Sequence, residues 1–501
     1  MEWLQIVSPT FFVLLVIGVL GGIIFGAIPG MTATMAVAVF LPVTYAFEIQ
    51  DALALLIGLY VGGISGGLVP AILLNIPGTP SSITTTFDGY PMAQRGEGAT
   101  ALRIGVTASL IGGLISFAIL AFCAPVLADF AIQFSYVEKF LLILFALTVI
   151  AALSKGSMLA GIFSGTLGIL ISLMGTYSIS VGGNGRMRLV PELLAPTLRN
   201  GFSLLPVLIG LFAIATMLKE AENGMEDPPM DGVDLTAKAG FDRRLWFEQL
   251  GNLLRSSIIG TFVGMLPGVG GSAASILSYS QAKNLSRKGD AMGTGEPTGL
   301  IASEAANNGL TGGALIPLLS LGIPGDSTTA VLIGAFTLHG IQAGPLFIGN
   351  HPETWTGILT ALFFANIFMF LAMFFSIKVL AKIIRIPKYI LYPIIAVMCV
   401  VGAYATNYGV MFDIWTIFIF GLFGYLGVKV GLQVPPLIIG FILGRSAETY
   451  FVKSLESFGT FSIFFTKSPI AMILWGLIAL SAFISVRNSR RQKREVEHGD
   501  D

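Results

Sequence analysis

From Phe11 to Ile28 the chain runs without a charged side chain, and apolar stretches of this kind recur along its length. A hydrocarbon core of roughly 30 Å takes about 20 apolar residues in helical form. Candidate segments fall near 10–28, 52–74, 104–127, 138–153, 157–175 and 201–218, then near 252–266, 299–321, 356–384, 391–406, 412–431 and 470–486. In lipid a backbone must satisfy its own hydrogen bonds, which leaves helices and closed barrels as the spanning forms. The pattern predicts an all-α polytopic membrane protein of about 12 transmembrane helices. Composition agrees, because 11% of residues are charged against roughly 25% in soluble domains. Shorter pieces at 31–47, 80–93, 269–282, 326–348 and 435–451 begin at proline breaks and are rich in small polar residues. They read as re-entrant hairpins or broken helices.

Lys plus Arg number 28 and so do Asp plus Glu, so no bulk positive charge is available to hold nucleic acid. The distribution is uneven. No base precedes Arg95, whereas Arg487, Arg490, Arg491, Lys493 and Arg494 cluster near the end. Basic segments beside spans stay in the cytoplasm, which places the tail 487–501 inside and favours an outside N-terminus. The missing bases near Met1 also remove the n-region of a cleavable signal peptide, so the first apolar stretch is expected to persist as a span. Between Lys219 and Glu248 the chain turns polar and acidic around Pro228-Pro229. That stretch reads as a linker between a first transmembrane repeat, 1–218, and a second, 249–486, and its acidity argues mildly against the cytoplasmic side. Cys123 and Cys399, each in an apolar segment, read as buried small hydrophobes.

The repeat is visible directly. Gly22, Gly26, Pro29 and Gly30 return 238 positions later as Gly260, Gly264, Pro267 and Gly268. Gly62, Gly66, Pro70 and Ile76-Pro77-Gly78 return 247 positions later as Gly309, Gly313, Pro317 and Ile323-Pro324-Gly325. Hydroxyl residues follow each Ile-Pro-Gly: Thr79, Ser81 and Ser82, and Ser327, Thr328 and Thr329. Shared helix-packing glycines would explain part of this. An inverted pair of repeats, each supplying a broken element to a shared midplane site, explains all of it.

Pro-Gly inside a membrane ends a helix, because proline lacks the donor and glycine permits unusual dihedrals. The exposed N–H end suits a carboxylate, and the C=O end with hydroxyl and amide oxygens suits a hard monovalent cation. Pro29, Gly30, Asn75, Pro77, Gly78, Thr79, Ser81, Ser82, Pro324, Gly325, Ser327, Thr328 and Thr329 are accordingly the candidate substrate-binding residues. Gly268, Glu304, Asn307, Asn308 and Asp326 are the candidate sodium ligands; for Glu304 and Asp326, ionisable residues in apolar segments, a structural hydrogen bond is the other reading. Asp88, Arg95, Glu97 and Arg103 are expected where the first hairpin meets water, and Arg445 and Glu448 as a local pair.

No Gly-Lys dipeptide exists, so the chain has no P-loop lysine. There is no HExxH, and the three histidines stand far apart. Gly63-Ile64-Ser65-Gly66-Gly67 matches GxSxG, but a nucleophile elbow needs a strand–turn–helix context. An enzyme is therefore disfavoured, a membrane-embedded lipid-processing one included. An anion channel or passive pore is the alternative to a carrier.

The runs GAIPGMTATMAVAVFLP, NIPGTPSSITTTFDGYPMAQRG, GMLPGVGGSAAS, GEPTGLIASEAANNG and IPGDSTTAVLIGAF resemble the large membrane subunit of the tripartite tricarboxylate transporter family. The similarity covers roughly residues 10–480. It implies a secondary transporter in the bacterial inner membrane that imports a di- or tricarboxylate with a cation, usually sodium, and no other cofactor. It also implies two partners, a small membrane subunit and a periplasmic substrate-binding protein. This chain has Thr298-Gly299 after Glu296-Pro297 where the family commonly shows Glu-Gly, so no role carries over to Glu296.

Overall fold

The structure, a computed structural model, describes residues 8–153, 158–177, 186–222, 243–286, 288–383, 386–406 and 409–497. It is an all-helical membrane protein, with one antiparallel pair of three-residue strands, Gly175–Tyr177 and Arg186–Arg188, that the sequence reading missed. Seven helices are long and apolar enough to cross a membrane among the described residues.

In the first half, α1 (Pro9–Ala27) starts at the N-cap Ser8 and stops at Pro29-Gly30. Helix α2 (Ala33–Phe40) turns back from its N-cap Thr32. Helices α3 (Ile49–Gly66) and α4 (Leu68–Leu74) form one 26-residue span that is wholly buried in protein. Helices α5 (Thr85–Met92) and α6 (Gly98–Ile132) complete the unit. Next come α7 (Tyr136–Leu153), α8 (Met158–Ser172) and α9 (Leu204–Glu222).

The second half repeats the order. Helix α10 (Arg243–Gly264) stops at Pro267-Gly268, α11 (Gly270–Leu285) turns back, and α12 (Pro297–Leu321) is buried almost end to end. Helices α13 (Ser327–Leu338) and α14 (Pro352–Phe375) follow. The remainder is α15 (Ile377–Ile383), α16 (Lys388–Thr406), α17 (Met411–Lys429), α18 (Val434–Phe458) and α19 (Pro469–Glu497). The break expected within 435–451 does not occur. Pro435 and Pro436 occupy the first turn of α18, where a missing N–H costs nothing. The expected span 356–384 is instead divided at Ser376.

The GxxxG series sets the packing. A Cβ on Gly22 or Gly26 would sit 2.4 and 2.2 Å from the Leu59 and Gly63 carbonyl oxygens, so α1 lies against α3 backbone to backbone. Gly260 and Gly264 stand the same way against Ala306 and Leu310, at 2.2 and 2.8 Å. Both contacts advance in step, so α1 runs parallel to α3, and α10 to α12. These glycines serve close approach rather than ligand binding.

Directions follow from neighbouring contacts. Gly357 at the start of α14 meets Gln50 near the start of α3, while Arg103 stacks on Phe374 and Gly105 lies against Leu68 and Ile72. Thus α14 runs with α3 and α6 runs against them. Gly112 touches Ala305 and Ser116 touches Gly312, so α12 runs with α6. Helices α3 and α12 therefore point in opposite directions.

One face of the bundle carries Arg95, Lys219, Arg243, Arg244, Lys288, Lys388 and Lys429, and the C-terminal end of α19. Helix α19 starts beside the start of α7, where Ser468 bonds Glu138, and runs with it. Lys388–Glu220 and Lys429–Glu222 tie α16 and α17 to the end of α9 on this face. The linker between residues 223 and 242 lies outside the described residues. Its flanking ends, Glu222 and Arg243, lie on the basic face.

Candidate functional site

Each Ile-Pro-Gly interrupts the helix at matched positions. Helix α4 ends at Asn75 with φ +60°, and α12 ends at Gly322 with φ +73°. The following N–H reaches back to the proline carbonyl in both, Ile76 to Pro70 at 3.3 Å and Ile323 to Pro317 at 3.2 Å. Asn75 is exposed and serves as the left-handed turn residue, as Gly322 does; asparagine tolerates that conformation. The chain then doubles back. A Cβ on Gly78 would meet the Gly26 oxygen at 2.4 Å, and one on Gly325 the Gly264 oxygen at 2.5 Å. Only glycine lets the returning strand lie on the broken helix.

At the tips a new helical turn begins with a capping box. Thr79 and Ser82 cap one, and Asp326 and Thr329 the other. Asp326 is thus the counterpart of Thr79. Its Oδ1 accepts from the Thr329 N–H (2.7 Å) and hydroxyl (2.8 Å), while Oδ2 accepts from the Tyr60 hydroxyl (2.7 Å). The spacing Asp-x-x-Thr is a legible capping signal and accounts for the Thr329 bonds; the Tyr60 bond, from the other half, lies outside it.

Each tip touches the other half's broken helix. Thr34, on α2, shares a 2.8 Å hydrogen bond with Thr328, and Ser272, on α11, donates to the Pro80 carbonyl at 2.7 Å. Position 34 corresponds to 272 by the 238-residue offset, and Pro80 corresponds to Ser327, next to Thr328, so the two contacts fall at equivalent helix positions and adjacent tip positions. Gly271 lies against Ser81, where a Cβ would stand 2.4 Å from the serine Cβ. Pro29 is buried, and a Cβ on Gly30 would stand 2.4 Å from the Glu220 carboxyl carbon, so the protein's own acid lies against that break. Gly268 donates its N–H to the Gly325 carbonyl at 2.8 Å. Pro77 is half-buried and Ser327 likewise, while Pro324 is buried.

The buried residues of α12 divide in two. Glu304 accepts from Thr85 (2.5 Å) and Ser109 (3.0 Å), and Asn308 accepts from Ser65 at 2.7 Å. Asn307 lies beside Glu304, yet its amide forms no hydrogen bond of good geometry. Its oxygen would be 3.4 Å from a Cβ on Gly271, at the Ser81 side of the first tip. Ser275, Ser303 and Thr84 also have buried hydroxyls without partners. Orphaned buried polar atoms are rare and costly. Tyr60, Thr34, Ser275 and Ser303 were not singled out from sequence; the 247-residue offset pairs Tyr60 with Asn307 and the 238-residue offset pairs Thr34 with Ser272, whereas Ser275 and Ser303 fall opposite Val37 and Leu56 and carried no such signal.

Two sequence expectations are corrected. Asp88 is fully buried, not interfacial. Its Oδ1 accepts the N–H groups of Gly293, Gly295 and Glu296 at 2.8–2.9 Å, and Oδ2 accepts from Tyr279 at 2.9 Å. Arg95 donates to the carbonyls of Thr294 and Gly295, both at 2.8 Å. The first hairpin thereby clamps the second half's loop on the basic face. Glu448 is bound by Arg188 at 2.5 Å rather than by Arg445, which donates to the Ser172 and Asn200 carbonyls.

A multi-pass helical protein whose core is two buried broken-helix units belongs to the membrane transporters in architecture. Residues 12–439 match the tripartite tricarboxylate transporter TctA family, and the chain belongs to that family. It is 32% identical to an uncharacterized 52.8 kDa protein in the TAR-I ttuC' 3' region of Agrobacterium vitis, over 97% of this chain and 95% of the relative. A second Agrobacterium vitis protein, uncharacterized and from the TAR-II ttuC' 3' region, is 35% identical over 47% of this chain and 97% of its own length. No solved structure matches.

Proposed function

We propose that the chain is the large permease subunit of a cation-coupled secondary transporter that imports a di- or tricarboxylate across the bacterial inner membrane. A periplasmic binding protein delivers the substrate and a small membrane subunit completes the assembly, as family membership implies. Two inverted repeats, within about 12 spans, carry one re-entrant hairpin each. The observation that carries the reading is the reciprocal seating of the tips: Thr34 on Thr328 and Ser272 on Pro80, from units running in opposite directions. Such pairs alternate access by rocking about a shared site.

Substrate carboxylates would bind the exposed N–H groups and hydroxyls at the two tips. Sodium would bind at the Ser81 side of the first tip, where the Asn307 oxygen lacks a partner; Ser275 and Ser303, one helical turn from Gly271 and Asn307, also carry unpaired hydroxyls. Glu304, held by Thr85 and Ser109, lies beside Asn307. Each sodium entering down 100 mV contributes about 2.3 kcal/mol, so a dianion needs three for inward charge. By the excess of Lys and Arg, the basic face is cytoplasmic.

The test is uptake into proteoliposomes across a panel of di- and tricarboxylates, with and without a sodium gradient. Saturable, sodium-dependent counterflow is expected. Non-saturable flux indifferent to sodium would replace the carrier with a pore.

A further inference from the structure

A cavity of about 1080 Å³ opens on the face opposite the basic one, between the second hairpin and helices α7 and α18. It exceeds the 300–1,000 Å³ typical of small-molecule sites, and Gly322 and Ile323, at the entry to the second hairpin, form part of its wall. Its charged lining is of one sign. Lys139 and Arg445 face it, and no Asp or Glu does.

The nearby acids are engaged elsewhere. Glu138 accepts from Ser135 and Ser468, and Glu448 is held by Arg188. Arg445 directs Nε and Nη2 to the Ser172 and Asn200 carbonyls, at 3.0 and 2.9 Å. Those bonds fix the guanidinium without neutralising it. The Lys139 ammonium stands 5.9 Å from the Tyr450 ring. Neither cation has an ion pair among the described residues.

We infer that this cavity is an anion-capture site, in which Lys139 and Arg445 hold a polycarboxylate before it reaches the hairpin tips. Two uncompensated cations in a concave wall focus field and raise the local concentration of anions. The inference rests on the proposed import reading for its direction, external to internal, but its chemistry stands on the lining alone.

The experiment uses the full chain with Cys123→Ser and Cys399→Ser, and Gln342→Cys as a reporter on the cavity wall. Labelling rates by an anionic and a cationic methanethiosulfonate are compared from each side of oriented vesicles. The anionic reagent should react faster by about tenfold, from the side opposite the C-terminal tail. Lys139→Gln with Arg445→Gln should bring the ratio toward unity, while Lys139→Arg and Arg445→Lys should keep it. Citrate should slow labelling in the parent and leave the double Gln variant unaffected. An absent anion preference, one that survives both neutralisations, or no protection by citrate would overturn the capture site. An intact preference seen only from the tail side would instead overturn the orientation proposed for transport.

Discussion

The two hairpin tips share a backbone and differ in chemistry. At the second tip a carboxylate, Asp326, stands where the first has Thr79, and Tyr60 stands where the other half has Asn307. Those two larger groups bond to each other at 2.7 Å and leave the tip satisfied from within. At the first tip the smaller pair does not bond: Thr79 turns to Ser81 (3.0 Å) and Ser82 (3.3 Å), and Asn307 keeps both amide atoms unpaired. The matched sequence positions account for the common geometry. The difference leaves the second tip internally bonded and the first with unpaired polar atoms, where the proposed sodium site would lie.

The largest effects should fall on what the tips share. Gly78→Ala and Gly325→Ala each force a Cβ against a carbonyl oxygen of a packed helix, at 2.4 and 2.5 Å. Overpacking of this kind costs about 1–3 kcal/mol or more. Both variants should lose uptake and melt well below the parent in detergent. If one melts normally, the tips do not rest on equivalent backbone and the comparison breaks.

Next comes the anchor. Asp326→Ala strands the Tyr60 hydroxyl and the Thr329 N–H in a buried site, at about 1–3 kcal/mol per group. Thr79→Ala removes a neutral cap worth about 1 kcal/mol. Thermal melts should therefore rank Asp326→Ala well below Thr79→Ala. Equal losses would mean that the carboxylate is not what holds the second tip.

Much of this was legible in the sequence, and the limits have physical causes. The Ile-Pro-Gly breaks follow from proline and glycine chemistry alone, and two fixed offsets aligned the halves. Side-chain roles were harder. Asp326 drew a functional reading because an ionisable residue in an apolar segment is expensive, and Asn75 because it clusters with the first Ile-Pro-Gly, whereas capping and a left-handed turn use the same residue types. Asp88 read as interfacial because its partners, the N–H groups of residues 293–296, belong to a loop more than 200 positions away. The cavity had no signal at all, since α6, α7, the second hairpin and α18 contribute its wall from separate parts of the chain.

Asn307 gives the clearest separation of stability from function. Its amide has no well-formed protein bond to lose, so the similarly shaped Asn307→Leu should leave stability nearly unchanged or raise it. Under the proposed sodium site, sodium should raise the melting temperature of the parent, an RT ln(1 + [L]/Kd) effect, and this variant should show no such rise. A loss of several degrees without sodium would make Asn307 a structural residue and return the first tip to the same class as the second.

The finest discrimination concerns the reciprocal contacts. Thr34→Val leaves the Thr328 hydroxyl unpaired in a buried site, whereas Ser272→Ala releases the exposed Pro80 carbonyl, which water can satisfy. The first should cost about 1 kcal/mol and the second less. Hydrogen exchange at residues 326–331 should therefore quicken in Thr34→Val more than exchange at residues 79–84 does in Ser272→Ala. The reverse order would mean that the Thr34 bond holds the second tip less firmly than Ser272 holds the first, and would undo the second tip's assignment as the anchor.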